Sequence, residues 1–409
     1  MSREIQHASA CKPISVPVNN DVAPDNWDRL QTFSASTNQP QEKVYEIGRL
    51  VKMDFDKDIL EATLSMVQLE YGTNDSFLQL AGLSAEPSGG FELNDFDDPR
   101  TDFYSPGKDE YGGTVEQTLW LQYMALDSLG IEISAEERII RNFELSGDYC
   151  KIARNANKYL IFKEDDAPSG TSGNYVIDVS DPAPVVDPNN AGVYILALWR
   201  IRSGVATQLT LTTDYTYNNG TNQITILSAL TGDNYRIWYT AGSYGSAGDP
   251  TSLNDSDDYY LGAENVTITI DDGTHSPVEL DKLTDFSITA TLNRTEEGKI
   301  GSASKFRDVE NYDVSVSLSG FVKDSTIQEA LMQQAGQSWG IIDYSLFDAV
   351  DVIVKIYQES TKSTFLIGYK ASDVEFADDG NDKNANENTD ESVTLNGDAL
   401  LITTTEGDL

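Results

Sequence analysis

Few residues in this chain of 409 could support catalysis or bind a metal ion. The only histidines are His7 and His275, and a Ser-His-Asp triad or a histidine-based metal site would have to use one of them. His7 lies in an N-terminal arm and His275 in a predicted turn, THSP. No GxGxxG, P-loop or HExxH motif is present. We therefore interpret both histidines as exposed polar residues and predict no catalytic residue, no cofactor site and no enzymatic activity.

Carboxylates are abundant, but their spacing does not match an EF-hand, whose oxygens alternate before a Gly and end on a Glu. The clusters are Asp95, Asp97 and Asp98, then Asp255, Asp257 and Asp258, and the stretch 378–391. We interpret them as solvated loops and predict no dedicated metal site, with weak Ca²⁺ or Mg²⁺ binding left open. Cys11 and Cys150, the only cysteines, are too few for a disulfide scaffold and are interpreted as reduced structural thiols.

The formal net charge is -39, from 67 acidic and 28 basic residues. Such a surface repels nucleic-acid phosphates and anionic lipids, which argues against tight binding to DNA, RNA or membranes. Two interpretations remain: general surface solvation, as in proteins adapted to high salt, or a surface that nucleic acid must slide past. No apolar run is long enough for a transmembrane helix, and the N-terminus MSREIQHASACKP predicts no secretory signal.

Two stretches of the chain repeat the same pattern. Residues 14–34 and 268–287 both run from a β-branched strand through a turn and a Pro to D-[RK]-L-x-x-F-S. Each Phe of that motif precedes an Ile-Gly pair by 14 residues, and both stretches close on similar segments, FELSGD and VTLNGD. Several matches in the same order with near-equal spacing indicate an internal duplication.

Each copy also predicts a long strand followed by a short helix. The segments ATLSMVQLE and YDVSVSLSGFV alternate apolar and polar residues, as a strand with one buried face does. Apolar residues then follow at i, i+3 and i+4, which predicts helices at 75–82 and 325–335 that end at Ala-Gly. The residues concerned are Phe77, Leu80 and Ala81 in copy one and Ile327, Ala330 and Leu331 in copy two. Asn74 or Asp75 is expected to cap the first helix, and Thr326 with Glu329 forms a capping box for the second.

The repeat divides the chain into four parts. We predict an N-terminal arm at 1–11, copy one at 12–155, an inserted β-rich domain with linkers at 156–263, and copy two with a C-terminal tail at 264–409. The insertion contains strand patterns around an NNG turn signal. The predicted fold class is therefore mainly β, with two tandem β-sandwich domains, each with a short helix, and one small inserted β domain.

The order of elements in each copy resembles the tail tube proteins of long-tailed phages and related contractile machines. The stretch from TDFSITATLNR through KIG to VSVSLSGFV in copy two carries the likeness best, and copy one repeats it less cleanly. The resemblance covers about 280 residues by that pattern and excludes the insertion. It implies a structural virion protein whose domains join edge to edge into a barrel around a lumen for genomic DNA.

This resemblance also implies partners and a location. Tubes of this family have sixfold rings, so two fused copies predict a trimer of pseudo-sixfold symmetry whose rings stack into a tube. Other tail proteins (tape measure, terminator and baseplate) are the implied partners, DNA passes without specific binding, and no membrane is involved. The location is the virion tail, assembled in the host cytoplasm. An acidic lumen is expected on strands near 60–70, 116–126, 312–322 and 350–358.

Two other functions stay open at the level of sequence. A secreted or cell-surface β-repeat structural or adhesion protein would share the strand pattern and the acidic charge. A virion-associated enzyme that acts on polysaccharides would need a pair of carboxylates in a groove, and nothing in the sequence singles out one pair.

Overall fold

The computed structural model describes most of the chain. The described residues are 13–17, 22–38, 41–45, 52–57, 61–97, 101–108, 115–147, 149–154, 159–165, 169–171, 174–187, 192–244, 261–280, 283–298, 305–321, 349–382 and 390–409. They are mainly antiparallel β-structure, which confirms the predicted fold class at that level.

The described residues of the first half form eleven strands and one α-helix, α1. The strands are β1 Ile14–Pro17, β2 Asp25–Asn26, β3 Leu30–Asn38, β4 Gln41–Tyr45, β5 Lys52–Lys57, β6 Glu61–Leu69, β7 Phe91–Glu92, β8 Thr101–Lys108, β9 Val115–Ser134, β10 Ile140–Gly147 and β11 Tyr149–Arg154. Helix α1 spans Asp75–Ala81, between β6 and β7.

The predicted helix at 75–82 is confirmed, including its C-terminal Gly82, which adopts the left-handed conformation with φ of 63°. Asn74 stands at the N-cap position, but its side chain makes no capping hydrogen bond. Instead, Asn74 Nδ2 donates to Glu86 Oε2 at 2.6 Å. The helix predicted at 325–335 lies outside the described residues.

The insertion contains eight strands in two four-stranded sheets. The strands are β12 Tyr159–Asp165, β13 Ser169–Thr171, β14 Asn174–Asp178, β15 Ile195–Arg202, β16 Val205–Gln208, β17 Tyr215–Asn218, β18 Gln223–Ile226 and β19 Asn234–Ala241. One sheet has the order β12-β19-β15-β16 and the other β13-β14-β18-β17. They enclose a separate core that includes Ile177, Leu198 and Tyr239. The NNG signal lies in the turn that joins β17 to β18, as predicted.

The described residues of the second half form eight strands. These are β20 Val266–Asp271, β21 Val278–Glu279, β22 Leu283–Gly298, β23 Lys305–Phe321, β24 Val350–Tyr357, β25 Phe365–Asp382, β26 Asp390–Gly397 and β27 Ala399–Thr403. Buried residues of both halves form one continuous hydrophobic core, which extends from Trp27 to Ile402.

The two halves pair their strands in the same way. β3, β6, β10 and β9 are neighbours in that order, as are β22, β23, β26 and β25, and β11 and β8 flank β9 as β27 and β24 flank β25. The registers correspond as well: Leu145 faces Leu64 in the first half, and Leu395 faces Val316 in the second. The halves therefore share one topology. The internal duplication stays a prediction, and so do the domain boundaries drawn from the sequence.

Irregularities of the strands recur at corresponding positions too. The long strands β9 and β25 each pass from one layer of the sandwich to the other, and each bends at a bulge where Tyr123 or Asp373 has φ of 54° or 52°. Non-glycine residues with positive φ are uncommon, so their recurrence 250 positions apart (373 minus 123) reflects the same local geometry.

The glycines of FELSGD and VTLNGD have a shared packing reason. A Cβ on Gly147 would lie 2.3 Å from Met124 Sδ, and one on Gly397 would lie 2.5 Å from Val374 Cγ1. Real Cβ atoms do not approach so closely, so each strand needs glycine where it crosses the bend of its neighbour.

The insertion packs on the outer layer of the first half through aromatic side chains. The rings of Trp120 and Trp238 stack with centroids 4.3 Å apart, and Tyr104 Oη donates to the Leu160 carbonyl at 2.9 Å. The buried Arg236 guanidinium donates to the carbonyls of Pro17 and Val22. These contacts fix the insertion against β1 and β8 on the side away from the shared core.

Burial raises the pKa of Asp102, next to this contact, to about 7. Hydrogen bonds from Tyr123 N (2.9 Å) and Trp120 Nε1 (2.8 Å), together with the nearby Arg236, offset only part of that rise. Because the folded state binds the proton more tightly than the unfolded state, stability should fall as pH rises from about 4 to about 7. The contribution of Asp102 is at most about 4 kcal/mol.

We expect Asp102→Asn to flatten this pH dependence. The measurement is urea unfolding between pH 5 and 8, followed by the fluorescence of Trp120 and Trp238. The matched control is Asp178→Asn in the insertion. A hydrogen bond from Ser180 lowers the pKa of Asp178, so its contribution changes only at more acidic pH. Equal pH slopes for wild type and Asp102→Asn would contradict the prediction.

Candidate functional surface

The surface with the most distinctive composition is the outer face of an eight-stranded sheet that spans both halves. Its order is β3-β6-β10-β9-β22-β23-β26-β25. The halves meet where 128–134 of β9 pairs with 285–291 of β22. We call this eight-stranded layer the shared sheet and its solvent-facing side the open face.

Alternation along each strand places apolar residues in the core and small polar residues on the open face. Leu64, Phe143, Ile288 and Val316 are buried. The hydroxyl and amide residues opposite them include Ser34, Ser36, Thr63, Ser65, Ser128, Asn142, Ser146, Ser287, Thr289, Thr291, Ser315, Ser317, Ser319, Ser392, Thr394 and Asn396.

The charged residues among them are acidic. Glu132, Glu144, Asp285 and Asp313 are exposed on the open face. Neutral donors hold three of these carboxylates: Ser65 Oγ donates to Glu144 at 2.7 Å, Asn142 Nδ2 to Glu132 at 2.6 Å, and the Asn293 amide to Asp313 at 2.5 Å.

Along the eight strands, the described side chains on the open face include no Lys or Arg, and these four carboxylates form no ion pair. Arg138 is exposed at one end of the sheet, in the turn between β9 and β10. The open face is therefore polar, negative and covered by short side chains.

An acidic lumen near 60–70, 116–126, 312–322 and 350–358 stays a prediction, because a single chain does not define a lumen. Of these stretches, 61–69 and 312–321 belong to the shared sheet. Strand β24 lies in the other layer, between β20 and β25, and most of 116–126 pairs with β8 and β11. The shared sheet also contains β22, β26 and the second part of β9.

The junction between the halves is reinforced by side chains that the sequence did not reveal. Arg294 of β22 donates to the carbonyls of Phe96, Asp97 and Leu126, each at 2.9 Å. The Tyr312 hydroxyl donates to the Asp97 carboxylate. Both contacts join positions about 200 residues apart in sequence, and no local pattern announces them.

A second junction network is charged and buried. Arg141 donates to both carboxylate oxygens of Glu70, and the Tyr369 hydroxyl of the second half donates to Glu70 Oε2 at 2.7 Å. Burial alone would lower the pKa of the Arg141 guanidinium, but the Glu70 carboxylate raises it overall. Burial also raises the pKa of Tyr369, which therefore stays a hydrogen-bond donor.

The residues first considered for chemistry are not brought together. His275 is half-exposed in a turn, where its Nδ1 lies 2.7 Å from Asp272 Oδ2. Cys150 is partly buried and packs against the core. Asp95 accepts from the Glu92 backbone at 2.9 Å, a local structural role. Residues 1–12, which include His7 and Cys11, and Asp98, Asp255, Asp257 and Asp258 lie outside the described residues, as do the side chains of 378–391.

The described residues contain no group of three or more His, Cys, Asp or Glu side chains that could hold a metal ion. None of their helices has the length and apolar character needed to cross a bilayer.

Comparisons with known proteins find likeness only at the level of three-dimensional structure. No family model and no curated protein matches the sequence. Among the solved structures, 21 chains match. They include chains from the sheath-tube complex of PVC, an extracellular contractile injection system, in its extended state (12% identity, TM-score 0.28), from the tube-terminating cap of the anti-feeding prophage AFP (14%, 0.26), and from the AFP baseplate (11%, 0.28). Each match covers 38% of this chain and 100%, 100% and 97% of the other chain, respectively. At these TM-scores the superpositions carry no argument about function.

Proposed function

We propose that this chain is a subunit of a self-assembling tail tube, in which three copies close into a ring. The observation that carries the proposal is the internal junction. In the shared sheet, β9 is the last strand of the first half and pairs with β22, the first strand of the second half. The corresponding strands at the two ends of the shared sheet are β25 and β3. In the described part of the chain, β3 pairs only with β6, and the 375–382 part of β25 pairs only with β26.

The two open edges are therefore a matching pair. Exposed strand edges are hazardous unless they find a partner, and a second copy supplies one in the geometry already used inside the chain. The internal register places Thr289 opposite Gly130. Since Ser36 corresponds to Thr289 and Gly380 to Gly130, the proposed contact places Ser36 of one chain opposite Gly380 of the next.

Repetition of one head-to-tail contact closes a ring when its rotation divides a full turn, and gives an open filament otherwise. The sequence resemblance implies six equivalent positions in a ring of this family, and each chain fills two of them. Three chains thus give pseudo-sixfold symmetry, with the open faces turned toward a common lumen. Stacked rings would form the tube, with tape measure, terminator and baseplate proteins as partners in a virion assembled in the host cytoplasm.

The composition of the open face suits a passive channel for genomic DNA. Most of the described carboxylates of this face are hydrogen-bonded by neutral donors and they are not paired with cationic side chains, so the face as a whole repels phosphates. Short hydroxyl side chains leave a surface without long cationic groups that could bind the DNA backbone. We assign this face no covalent chemistry, and the insertion would lie on the outside, since it packs on the layer away from the open face.

The proposal is tested by placing lysines on the open face of the assembled protein. We expect the wild-type protein to form rings or short tubes in electron micrographs and to bind little duplex DNA at physiological salt. Thr289→Lys with Ser392→Lys, both at exposed positions, should leave ring formation intact and add six positive charges per ring of three chains. DNA binding should then appear and weaken steeply as salt rises, because phosphate contacts release counterions.

The matched control places the same two charges on the insertion, with Thr207→Lys and Thr216→Lys, which are also exposed. This variant should assemble and gain much less binding to DNA fragments short enough to enter a lumen. Equal DNA binding by both variants would contradict the placement of the open face in the lumen. A wild-type protein that stays monomeric at high concentration would contradict the ring itself.

A further inference from the structure

The two halves differ in the exposure of one apolar side chain. Among the described residues, six large hydrophobic side chains are strongly exposed, and five of them belong to the insertion. The sixth is Ile152 in β11, at 49% exposure. Its counterpart is Ile402, because Ile152 pairs with Leu119 in β9 as Ile402 pairs with Tyr369 in β25. Ile402 is only 1% exposed.

The difference has a visible cause in the second half. Strand β7 of the first half pairs with β27, so that Phe91 lies opposite Ile402. Gly90 approaches so closely that a Cβ there would lie 2.7 Å from the Ile402 carbonyl oxygen. Glu86 extends the same contact by accepting hydrogen bonds from Thr403 Oγ1 at 2.8 Å and Thr404 N at 2.9 Å. The residues that cover β27 therefore come from the first half, across the junction between the halves.

Strand β11 has no such cover within the described residues, where it pairs with β9 alone. In the proposed ring, the neighbour on this side of β11 would be the second half of another chain. In that half, the residues after β23 correspond in sequence to the residues after β6, which include β7. It also repeats the sequence pattern: FELNDF at 91–96 and IDYSLF at 342–347 both read apolar, acidic, apolar, two variable residues, Phe.

We propose that the β11 edge at Ile152 is a second interface between copies of this chain, contacted by residues 322–349 of the neighbouring copy. This inference rests on the ring proposed above and adds an apolar contact in the outer layer to the backbone pairing of the shared sheet.

The test compares two substitutions that each put a carboxylate at an exposed apolar position. Ile152→Asp removes the proposed contact, whereas Val205→Asp alters an insertion side chain that is 62% exposed. Both monomers should fold, because neither position is buried in the single chain. We expect Ile152→Asp to raise the protein concentration needed for half-maximal assembly by about tenfold or more, and Val205→Asp to leave it unchanged.

A photo-crosslinking side chain at position 152 identifies the occupant. In the assembled wild-type background, its crosslinks should map to residues 322–349 of a second chain. Crosslinks to other segments, or normal assembly of Ile152→Asp, would overturn this inference while leaving the ring intact. Failure of the wild-type chain to self-associate would overturn both, so the two failures are distinguishable.

Discussion

A chain that carries Ser36→Cys together with Gly380→Cys is expected to become a covalently closed trimer when it is oxidised. In the proposed contact these residues of neighbouring chains face each other across an antiparallel pair, where Cα atoms are about 4.5–5.5 Å apart. This distance suits a disulfide. Within one chain the two positions lie on opposite edges of eight strands, about 30 Å apart along the sheet. The new bond should therefore form between chains.

The measurement is a non-reducing gel with native mass spectrometry. We expect a species with the mass of three chains of 45.0 kDa that reverts to monomer on reduction. Either single cysteine variant alone should give no closed trimer. Thr37→Cys with Gly380→Cys is the sharper control, because a one-residue shift turns the thiol to the other face of the sheet. Open chains of many sizes, or a covalent hexamer, would contradict a three-chain ring.

The strands were predictable because their information is local. Alternation in ATLSMVQLE and VSVSLSG sets which side of each strand is buried, and β6 and β23 follow it residue by residue. Helix α1 was also predictable from the sequence, because Phe77 and Leu80 have helical spacing and Gly82 ends the pattern. Internal self-comparison then matched segments that the structure places at corresponding positions, such as Gly147 and Gly397.

The assignment of strands to layers could not be predicted in the same way. β9 and β25 are long enough to serve both layers, and the bends at Tyr123 and Asp373 decide where each changes partner. Tyr rarely adopts a positive φ, and Asp is enriched there but adopts it in a minority of cases, so residue type alone does not locate the two bends. For this reason the layer of a strand near 350–358 does not follow from its position in the repeat, whereas its nearly continuous apolar sequence, VDVIVKIY, indicates burial on both sides.

The junction residues were invisible for a different reason. Arg141 alternates correctly with its neighbours in β10, yet it points into the core, where a sequence pattern would place an apolar residue. Its partner Glu70 directly follows β6 and looks like a solvated acid in sequence. Only the fold brings them together with Tyr369, 228 positions from Arg141. A charged residue at an inward position of a strand was the one available signal.

Arg141→Met is expected to lower the free energy of unfolding by about 3–5 kcal/mol, because it leaves the Glu70 carboxylate buried without its counter-charge. Glu70 is 2% exposed and Arg141 is fully buried, so water cannot take the place of the lost partner. Chemical denaturation at neutral pH measures the loss. Lys362→Met is the matched control, because both partners of the Lys362–Glu279 pair (2.9 Å) are exposed. We expect it to cost about 1 kcal/mol or less.

Replacement of both partners distinguishes a lost attraction from an orphaned charge. Glu70→Leu combined with Arg141→Met should recover much of the stability lost in Arg141→Met, since no buried charge then remains unpaired. A double variant as unstable as the sum of the two single variants would contradict this account.

The network of Glu70, Arg141 and Tyr369 also distinguishes the junction between the halves of one chain from the proposed contact between chains. Glu391 and Leu119 occupy the positions that correspond to Arg141 and Tyr369, so the three-residue network does not recur in sequence at the proposed contact between copies. Arg141→Met should therefore weaken the fold of each chain without removing the β3 and β25 edges that join chains. In the Ser36→Cys, Gly380→Cys background, the yield of covalent trimer below the unfolding transition should stay within about twofold of the parent, since no residue of that contact has changed. A collapse of the trimer yield in fully folded protein would mean that the two joints are coupled, and that the orientation of the halves set by Arg141 also controls closure of the ring.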